Sequence, residues 1–294
     1  MRVFLTGATG FIGSRIVPEL IGAGHQVLGL TRSDSGARWL EKAGAEAHLG
    51  TLEDPGSIAD GAARADAVIH TAFDHDFSRF AENCEKDSQV IAALGQALAG
   101  SDRPLVITSG VGMGSPGHGQ LAVEDVFNAS HPNPRIASEL AGNALLEAGI
   151  NLSVVRLPQV HNPVKQGLIS PLIEIAREKG VSAYVGEGRN RYSAGHLSDA
   201  ARLYRLAVEK RQPGARYHAV GEEGVEVRAI AEALGRGLNL PVVSIAPEKA
   251  AEHFGWMGMF APMDLPASSA LTQARLGWHP TGPTLIADLD AMRY

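Results

Sequence analysis

Three glycines carry the first chemistry in the chain. They lie in Thr6-Gly7-Ala8-Thr9-Gly10-Phe11-Ile12-Gly13, between the apolar run Val3-Phe4-Leu5 and a segment with apolar residues at helical spacing. Gly7 permits a tight turn out of a strand, and Gly10 lets backbone N–H groups approach a ligand with no Cβ in the way. Gly13 lets the following helix pack closely on the strand. A helix that starts there presents unpaired N–H donors and a partial positive charge, which suits a diphosphate. Gly7, Thr9, Gly10, Phe11, Ile12 and Gly13 are therefore expected to contact a dinucleotide. The end of the next strand selects which one. Leu30-Thr31-Arg32-Ser33 puts Arg32 and Ser33 where NAD sites usually carry an acidic residue for the ribose hydroxyls. A guanidinium fork pairs better with a 2′-phosphate, so NADP is expected; Asp34, one residue on, keeps NAD open.

These residues act only if strands and helices hold them in place. Helical spacing runs over 11–23, with Pro18 inside it and Gly22 and Gly24 at its end. Strands follow at 25–31, 47–49, 67–72, 104–108 and 152–157, with helical patterns at 37–43, 58–62, 80–98 and 134–148. Apolar strands alternating with crossover helices predict an α/β fold, a doubly wound parallel sheet of the Rossmann type covered on both faces. Beyond Pro158 the alternation weakens, with helical patterns at 169–177, 199–208, 227–238 and 247–254. We read 1–157 as the NADP-binding core, with segments returning near 192–220, and 158–294 as mainly a smaller substrate-binding lobe.

Composition removes several classes. Of 294 residues, 45% are apolar and 20% charged, an ordinary globular make-up that can bury a large core. A net charge of −6 without a basic run argues against nucleic acid as a partner. The single cysteine, Cys84, can form no intrachain disulfide, and no Cys/His spacing suggests a metal site. No stretch approaches the ~20 apolar residues of a membrane span. The first strand starts at Arg2 or Val3 and leaves no room for a signal peptide, so a cytoplasmic protein is expected.

The glycine turn resembles that of the short-chain dehydrogenase/reductase superfamily, in its extended, NAD-dependent epimerase/dehydratase-like branch, and later segments match in order. Gly50-Thr51-Leu52-Glu53-Asp54 is similar to the GDLxD segment, with Thr51 in place of the Asp that reads adenine. Val68-Ile69-His70-Thr71-Ala72 resembles the fourth strand, which lines the cofactor, and Thr108-Ser109-Gly110 the end of the fifth. Arg156-Leu157-Pro158-Gln159-Val160-His161-Asn162-Pro163 resembles RPxxVYGP, which holds the nicotinamide. Gly195-His196-Leu197-Ser198-Asp199 and Leu276-Gly277-Trp278-His279-Pro280 resemble the HVDD and LGWxP segments. The likeness spans nearly the whole chain, and its order and spacing are more specific than any later motif alone.

The resemblance implies nicotinamide redox chemistry on a small molecule, and a homodimer through helices on the sheet's flank. It adds Leu52, Thr71, Ala72, Thr108, Pro158, Val160 and His161 to the cofactor contacts. Ser109 would bond a substrate oxygen; Thr108 takes that part if the register slips by one, and a hydroxyl bonding only backbone is the alternative. His161, in the tyrosine position of VYGP, is a proton donor or a pocket wall.

The family's active-site YxxxK is missing. Two alignments put either Arg135 or Glu139 in the lysine position, and the distance to Arg156 favours Arg135. His131-x-x-x-Arg135 then replaces the pair, as in an atypical subgroup. Arg135 can hold ribose hydroxyls but exchanges no proton near neutrality. His131 can, with an ordinary pKa of ~6.5, although a nearby Arg135 would favour the neutral ring. Asn133 as cap and Pro134 as first helical residue would place His131 ahead of the helix, where it shares no face with Arg135. A loop histidine and a surface arginine are the alternatives.

The 110–131 loop, glycine-rich and polar, lies at the ligand edge of such a sheet and reads as a lid or a substrate contact; its His118 faces solvent. The 254–260 segment puts Trp256, Met257, Met259 and Phe260 among glycines, either as an apolar pocket wall or as core or subunit packing. No arginine cluster for a second diphosphate is found beyond 158. The leading function is an NADP-dependent oxidoreductase acting on a carbonyl or alcohol of a small, fairly apolar molecule. Epimerase or dehydratase chemistry and non-catalytic NADP sensing are the alternatives.

Overall fold

Val3, Phe4 and Leu5 are fully buried, and the strand they form, β1 (Arg2–Thr6), lies inside a parallel sheet. The structure is a computed structural model that describes residues 1–117 and 119–294, so His118 lies outside the described residues. After β1 come α1 (Gly13–Gly22), β2 (Gln26–Thr31), α2 (Asp34–Lys42), β3 (Glu46–Leu49), α3 (Pro55–Ala63), β4 (Ala67–His70), α4 (Phe80–Leu98), β5 (Leu105–Gly110), α5 (Ile136–Glu147) and β6 (Leu152–Leu157). The chain continues through β7 (Gln159–His161), α6 (Ile169–Lys179), β8 (Ser182–Val185), β9 (Arg191–His196), α7 (Leu197–Lys210) and β10 (Arg216–His218). It ends with β11 (Glu222–Glu226), α8 (Val227–Leu238), β12 (Val242–Ile245), α9 (Ala250–Phe254), α10 (Ala270–Leu276) and α11 (Leu285–Ala291).

Among the described residues the main sheet runs β3-β2-β1-β4-β5-β6-β10, with every pair parallel. This is the expected doubly wound sheet. Strand order reverses between β1 and β4, which opens a crevice at the carboxyl edge. Side chains alternate across the sheet: Leu5 packs with Ile16, Val17 and Leu20 of α1 and Tyr204 of α7, while Phe4 packs with Ile58, Val90 and Leu94 under α3 and α4. Each such fully buried side chain contributes about 1.5–3 kcal/mol. A separate cluster, including Ile173, Val185, Ile230, Leu234, Phe254 and Leu289, joins α6, α8, α9 and α11 beside the β11-β9-β7 and β12-β8 pairings. No helix of the described residues is long and apolar enough to cross a membrane.

Two local details go beyond the expectation. The helix expected from 134 becomes α-helical at Ile136: Asn133 Oδ1 accepts the Arg135 N–H at 2.9 Å, as a cap would, and the first turn closes through i→i+3 bonds from Ile136 to Asn133 and from Ala137 to Pro134. The 122–126 stretch of the loop after β5 is tied to distant segments. Ala122 bridges to Ala267, the Thr272 N–H donates to Glu124 Oε1 at 2.7 Å, and Arg156 donates to the Val126 carbonyl at 3.0 Å.

Candidate active site

The glycine turn closes on itself and on the end of β4. Gly7 has φ +70°, and a Cβ there would fall 2.8 Å from the Ala72 nitrogen. At Gly13 a Cβ would stand 2.0 Å from the Gly7 carbonyl oxygen, so only glycine lets α1 start here. The Gly10 N–H donates to Gly7 at 2.9 Å, whereas the N–H groups of Phe11 and Ile12 have no acceptor among the described residues. No acidic residue occupies the first turn of α1. Free donors at a positive helix end, with Thr9 and Gly10 exposed beside them, fit a dinucleotide's diphosphate. Arg32, just past β2, is exposed and has no ion pair among the described residues. Ser33 caps α2 by accepting the Gly36 N–H at 3.2 Å, and Asp34 opens that helix.

A buried polar chain links the strand ends below the crevice. Thr6 Oγ1 lies 2.7 Å from His70 Nδ1, and His70 Nε2 lies 3.0 Å from Asp87 Oδ1 on α4. Arg135 donates to Asp87 Oδ2 at 2.6 Å, to the Thr108 carbonyl at 3.0 Å and to the Ser138 hydroxyl, and its guanidinium rests 4.2 Å over the Phe73 ring. Ser138 also donates to Asp87, at 2.5 Å. Burial opposes the charge on Asp87, but the Arg135 guanidinium, with His70 and Ser138, holds its carboxyl well below the usual range. Sequence reasoning missed Asp87 and Ser138 as partners of Arg135. A readable signal existed: Asp87 falls on the apolar stripe of Cys84, Ile91 and Leu94, where a carboxylate needs a partner.

The two hydroxyls at the end of β5 face opposite ways. Thr108 donates to the His70 carbonyl at 2.7 Å and pairs with the Tyr204 hydroxyl at 2.6 Å, so its side chain is already engaged. Ser109 is 3% exposed, and its hydroxyl has no partner among the described residues. Glu139, the other candidate for the lysine position, is committed elsewhere. It accepts from Arg156 at 2.7 and 2.8 Å and from Arg216 at 2.9 Å. Cys84 is buried, and burial pushes its thiol up to about 11, which leaves no thiolate near neutrality. No metal-holding cluster occurs among the described residues.

His131 and Arg135 share no face, as a His131 ahead of the helix implies. His131 Nδ1 accepts the Asn133 N–H at 3.1 Å, while Arg135 faces Asp87. The His131 pKa does fall, but through burial; the charge acting on it is Glu139, which works the other way. His161 is buried, with Nδ1 2.7 Å from Asp288 Oδ2 and its ring edge-on to His196 at 5.7 Å. The Val160 side chain lies in the core under α1 and α7, and half-buried Leu52 packs on the α3–α4 side. Pro158 Cγ borders Gly195, and the Thr71 hydroxyl donates to the Thr6 carbonyl at 2.8 Å. Ala72 meets Gly7 at the floor of the turn.

The 254–260 segment divides. Phe254 and Met257 pack into the lobe core, whereas Trp256, 43% exposed, stacks on Phe77 of the loop after β4, with ring centroids 4.5 Å apart and planes at 11°. Phe260 meets Phe77 edge-on at 6.2 Å, and Phe73 lies one ring further along, edge-on to Phe80. An aromatic wall thus runs from the lobe to the ring under Arg135.

The sheet order and the glycine turn at its switch point define an α/β fold of the dinucleotide-binding type. Residues 3–220 match the NAD dependent epimerase/dehydratase family, and the chain belongs to that family. It is 46% identical to an uncharacterized protein of Schizosaccharomyces pombe, over 100% of both chains. It is 26% identical to the 4-hydroxy-2-methyl-3-oxo-4-farnesyl-3,4-dihydroquinoline-1-oxide ketoreductase of Stigmatella aurantiaca, covering 91% of this chain and 84% of that one. In fold it resembles the dTDP-glucose 4,6-dehydratase DesIV of Streptomyces venezuelae, solved with NAD and TYD bound. That likeness has a TM-score of 0.77 at 20% identity and covers 99% of this chain and 95% of that one.

Proposed function

We propose that this chain is an NADP-dependent oxidoreductase of the HxxxR type, acting on the carbonyl or alcohol of a small, fairly apolar molecule. The observation that carries the reading is the Ser109 hydroxyl, buried and without a partner at the carboxyl edge of the sheet, beside the strand end that Arg135 grips. A buried hydroxyl left open favours a ligand oxygen that completes it. Bound nicotinamide would supply or accept the hydride. Ser109 would hold the substrate oxygen, Arg135 would fix the nicotinamide ribose, and a histidine would move the proton, a part for which the sequence puts forward His131. Unpaired Arg32, with Ser33 at the start of α2, supports a 2′-phosphate.

The substrate class follows from the walls. The aromatic run Phe73-Phe77-Trp256 favours apolar bulk, in keeping with the ketoreductase relative. In the lobe Arg189 pairs with Glu187 at 3.0 Å, Arg191 with Asp264 at 2.8 Å and Arg228 with Glu232 at 2.9 Å. Arginines so engaged offer little to a nucleotide-sugar diphosphate. A cytoplasmic homodimer, with a lobe that binds substrate, belongs to the same reading.

Fluorescence titration with NADPH and NADH, followed by turnover against a panel of ketones and aldehydes, tests it. NADPH is expected to bind at least about tenfold tighter, and Arg32→Ala to remove most of that preference. Equal affinities would end the NADP assignment. Tight NADPH binding without reduction of any carbonyl would favour the sensing role.

A further inference from the structure

The reaction read above moves a proton at the substrate oxygen, and the tyrosine that does so in the family is absent. The described histidines sort by what their rings hold. His70 is engaged by Thr6 and Asp87, His161 by Asp288, His196 by Ser198, and His218 by Ser268 and Arg156. His25 pairs with Glu209 and His48 with the Ser57 carbonyl. His75 differs. It stands on the loop between β4 and α4, exposed, with its ring edge-on to Phe73 at 5.3 Å and 6.2 Å from Phe77. Phe73 is the ring on which the Arg135 guanidinium rests. Lys165 reaches the glycine turn. Asn162 Oδ1 closes a turn by accepting the N–H groups of Val164 and Lys165 at 2.9 and 2.7 Å, and the Lys165 ammonium lies 5.6 Å over the Phe11 ring of the glycine turn. His75 therefore stands one ring away from Arg135, on the aromatic wall.

We propose that His75 is the catalytic residue that exchanges the proton with the substrate oxygen. The proposal rests on the oxidoreductase reading. Its ring lies edge-on to Phe73, the ring that carries the Arg135 guanidinium, at the edge of the proposed substrate space. Partial desolvation beside its aromatic neighbours lowers the His75 pKa, the Phe73 carbonyl raises it, Arg135 and Lys165 lower it, and Asp74 raises it, with a net fall. The net fall favours the neutral imidazole, the form that can act as a base. In the alcohol direction the imidazole takes the hydroxyl proton, the O–H bonding pair becomes the new C=O bond, and the C–H pair leaves as hydride to an oxidised nicotinamide. In the carbonyl direction the imidazolium returns the proton to the oxygen.

The test combines histidine NMR with kinetics. In protein labelled with 13C-histidine, the resonance missing from His75→Asn is expected to titrate below the ordinary histidine value and to shift when NADP+ is added. His75→Asn is expected to lower kcat about 100-fold or more and to abolish the acid limb of the alcohol-oxidation pH profile, with NADPH affinity kept within about twofold. A resonance untouched by NADP+, or a pH limb lost in His131→Ala and kept in His75→Asn, overturns the proposal. Wild-type protein that takes up no NADPH rejects the underlying cofactor reading instead.

Discussion

Arg135 and Asp87 each stabilise the charge of the other inside the protein. The carboxylate is almost wholly enclosed, and the guanidinium is the strongest favourable influence on it, at 2.6 Å. Removing one partner leaves a buried charge unpaired, which typically costs about 3–5 kcal/mol. Arg135→Ala is therefore expected to lower the unfolding free energy by about that amount in urea denaturation. Adding Asp87→Ala to it should recover a substantial part, because the orphaned charge goes too. Additive losses in the double variant would show that the pair does not couple. Spacing to Arg156 brought out Arg135 in the sequence. Asp87 was hidden because its partner comes from another helix, and only its place on an apolar stripe betrays it. Ser109 was legible as a strand-end hydroxyl, but that Thr108 is engaged by Tyr204 is a tertiary fact that no register argument contains.

At the scale of elements, β1, the turn and α1 work as one piece. Gly13 packs against the Gly7 carbonyl with no room for a methyl, while a Cβ at Gly10 would meet only that oxygen, at 3.1 Å. The two positions should separate structure from binding. Gly13→Ala must push α1 away from β1 and is expected to destabilise the protein by about 1–3 kcal/mol or more. Gly10→Ala is expected to keep the melting temperature within a few degrees and to weaken NADPH about tenfold, since its methyl intrudes on the diphosphate's approach. Calorimetry beside a binding titration reads both, and equal behaviour of the two variants would contradict the division of labour. The alternating strands and helices were legible because apolar periodicity is a local property. The exact start of α5 was not, because the turn after the Asn133 cap closes with i→i+3 bonds before the α-helical pattern begins. Nor was the anchoring of the 110–131 loop, which depends on Arg156 and Thr272, distant in sequence.

Over the whole molecule, buried polar groups tie the last strand of the sheet to the C-terminal segments, and this makes stability depend on pH. His218 on β10 donates from Nδ1 to the Ser268 carbonyl at 2.8 Å, receives Arg156 at Nε2 at 3.3 Å, and its N–H reaches Thr272 at 2.8 Å. Burial first, and then Arg156, push its pKa down to about 3. An unfolded histidine titrates near ~6.5, so the unfolded chain binds this proton before the folded one does. The contribution of a neutral His218 is thus complete above about pH 6.5 and drains away as pH falls toward 3, at roughly 1.4 kcal/mol per unit for one proton. His161, also lowered by burial, adds in the same direction. Asp87 and Glu139, both held below the carboxylate range, begin to lose their contributions only near pH 4 and below. Acid should therefore weaken the protein in two stages, a gentle histidine slope from pH 6.5 to about 4.5 and a steeper carboxylate fall beneath it. Urea midpoints measured across that range should drop steadily, and His218→Gln, which keeps a side-chain amide for the carbonyl, should flatten the upper slope by about one proton while lowering stability at pH 7. A midpoint constant from pH 7 to 5 in the wild-type protein would mean that the unfolded chain gains no proton over the folded one, and that His218 is not held neutral.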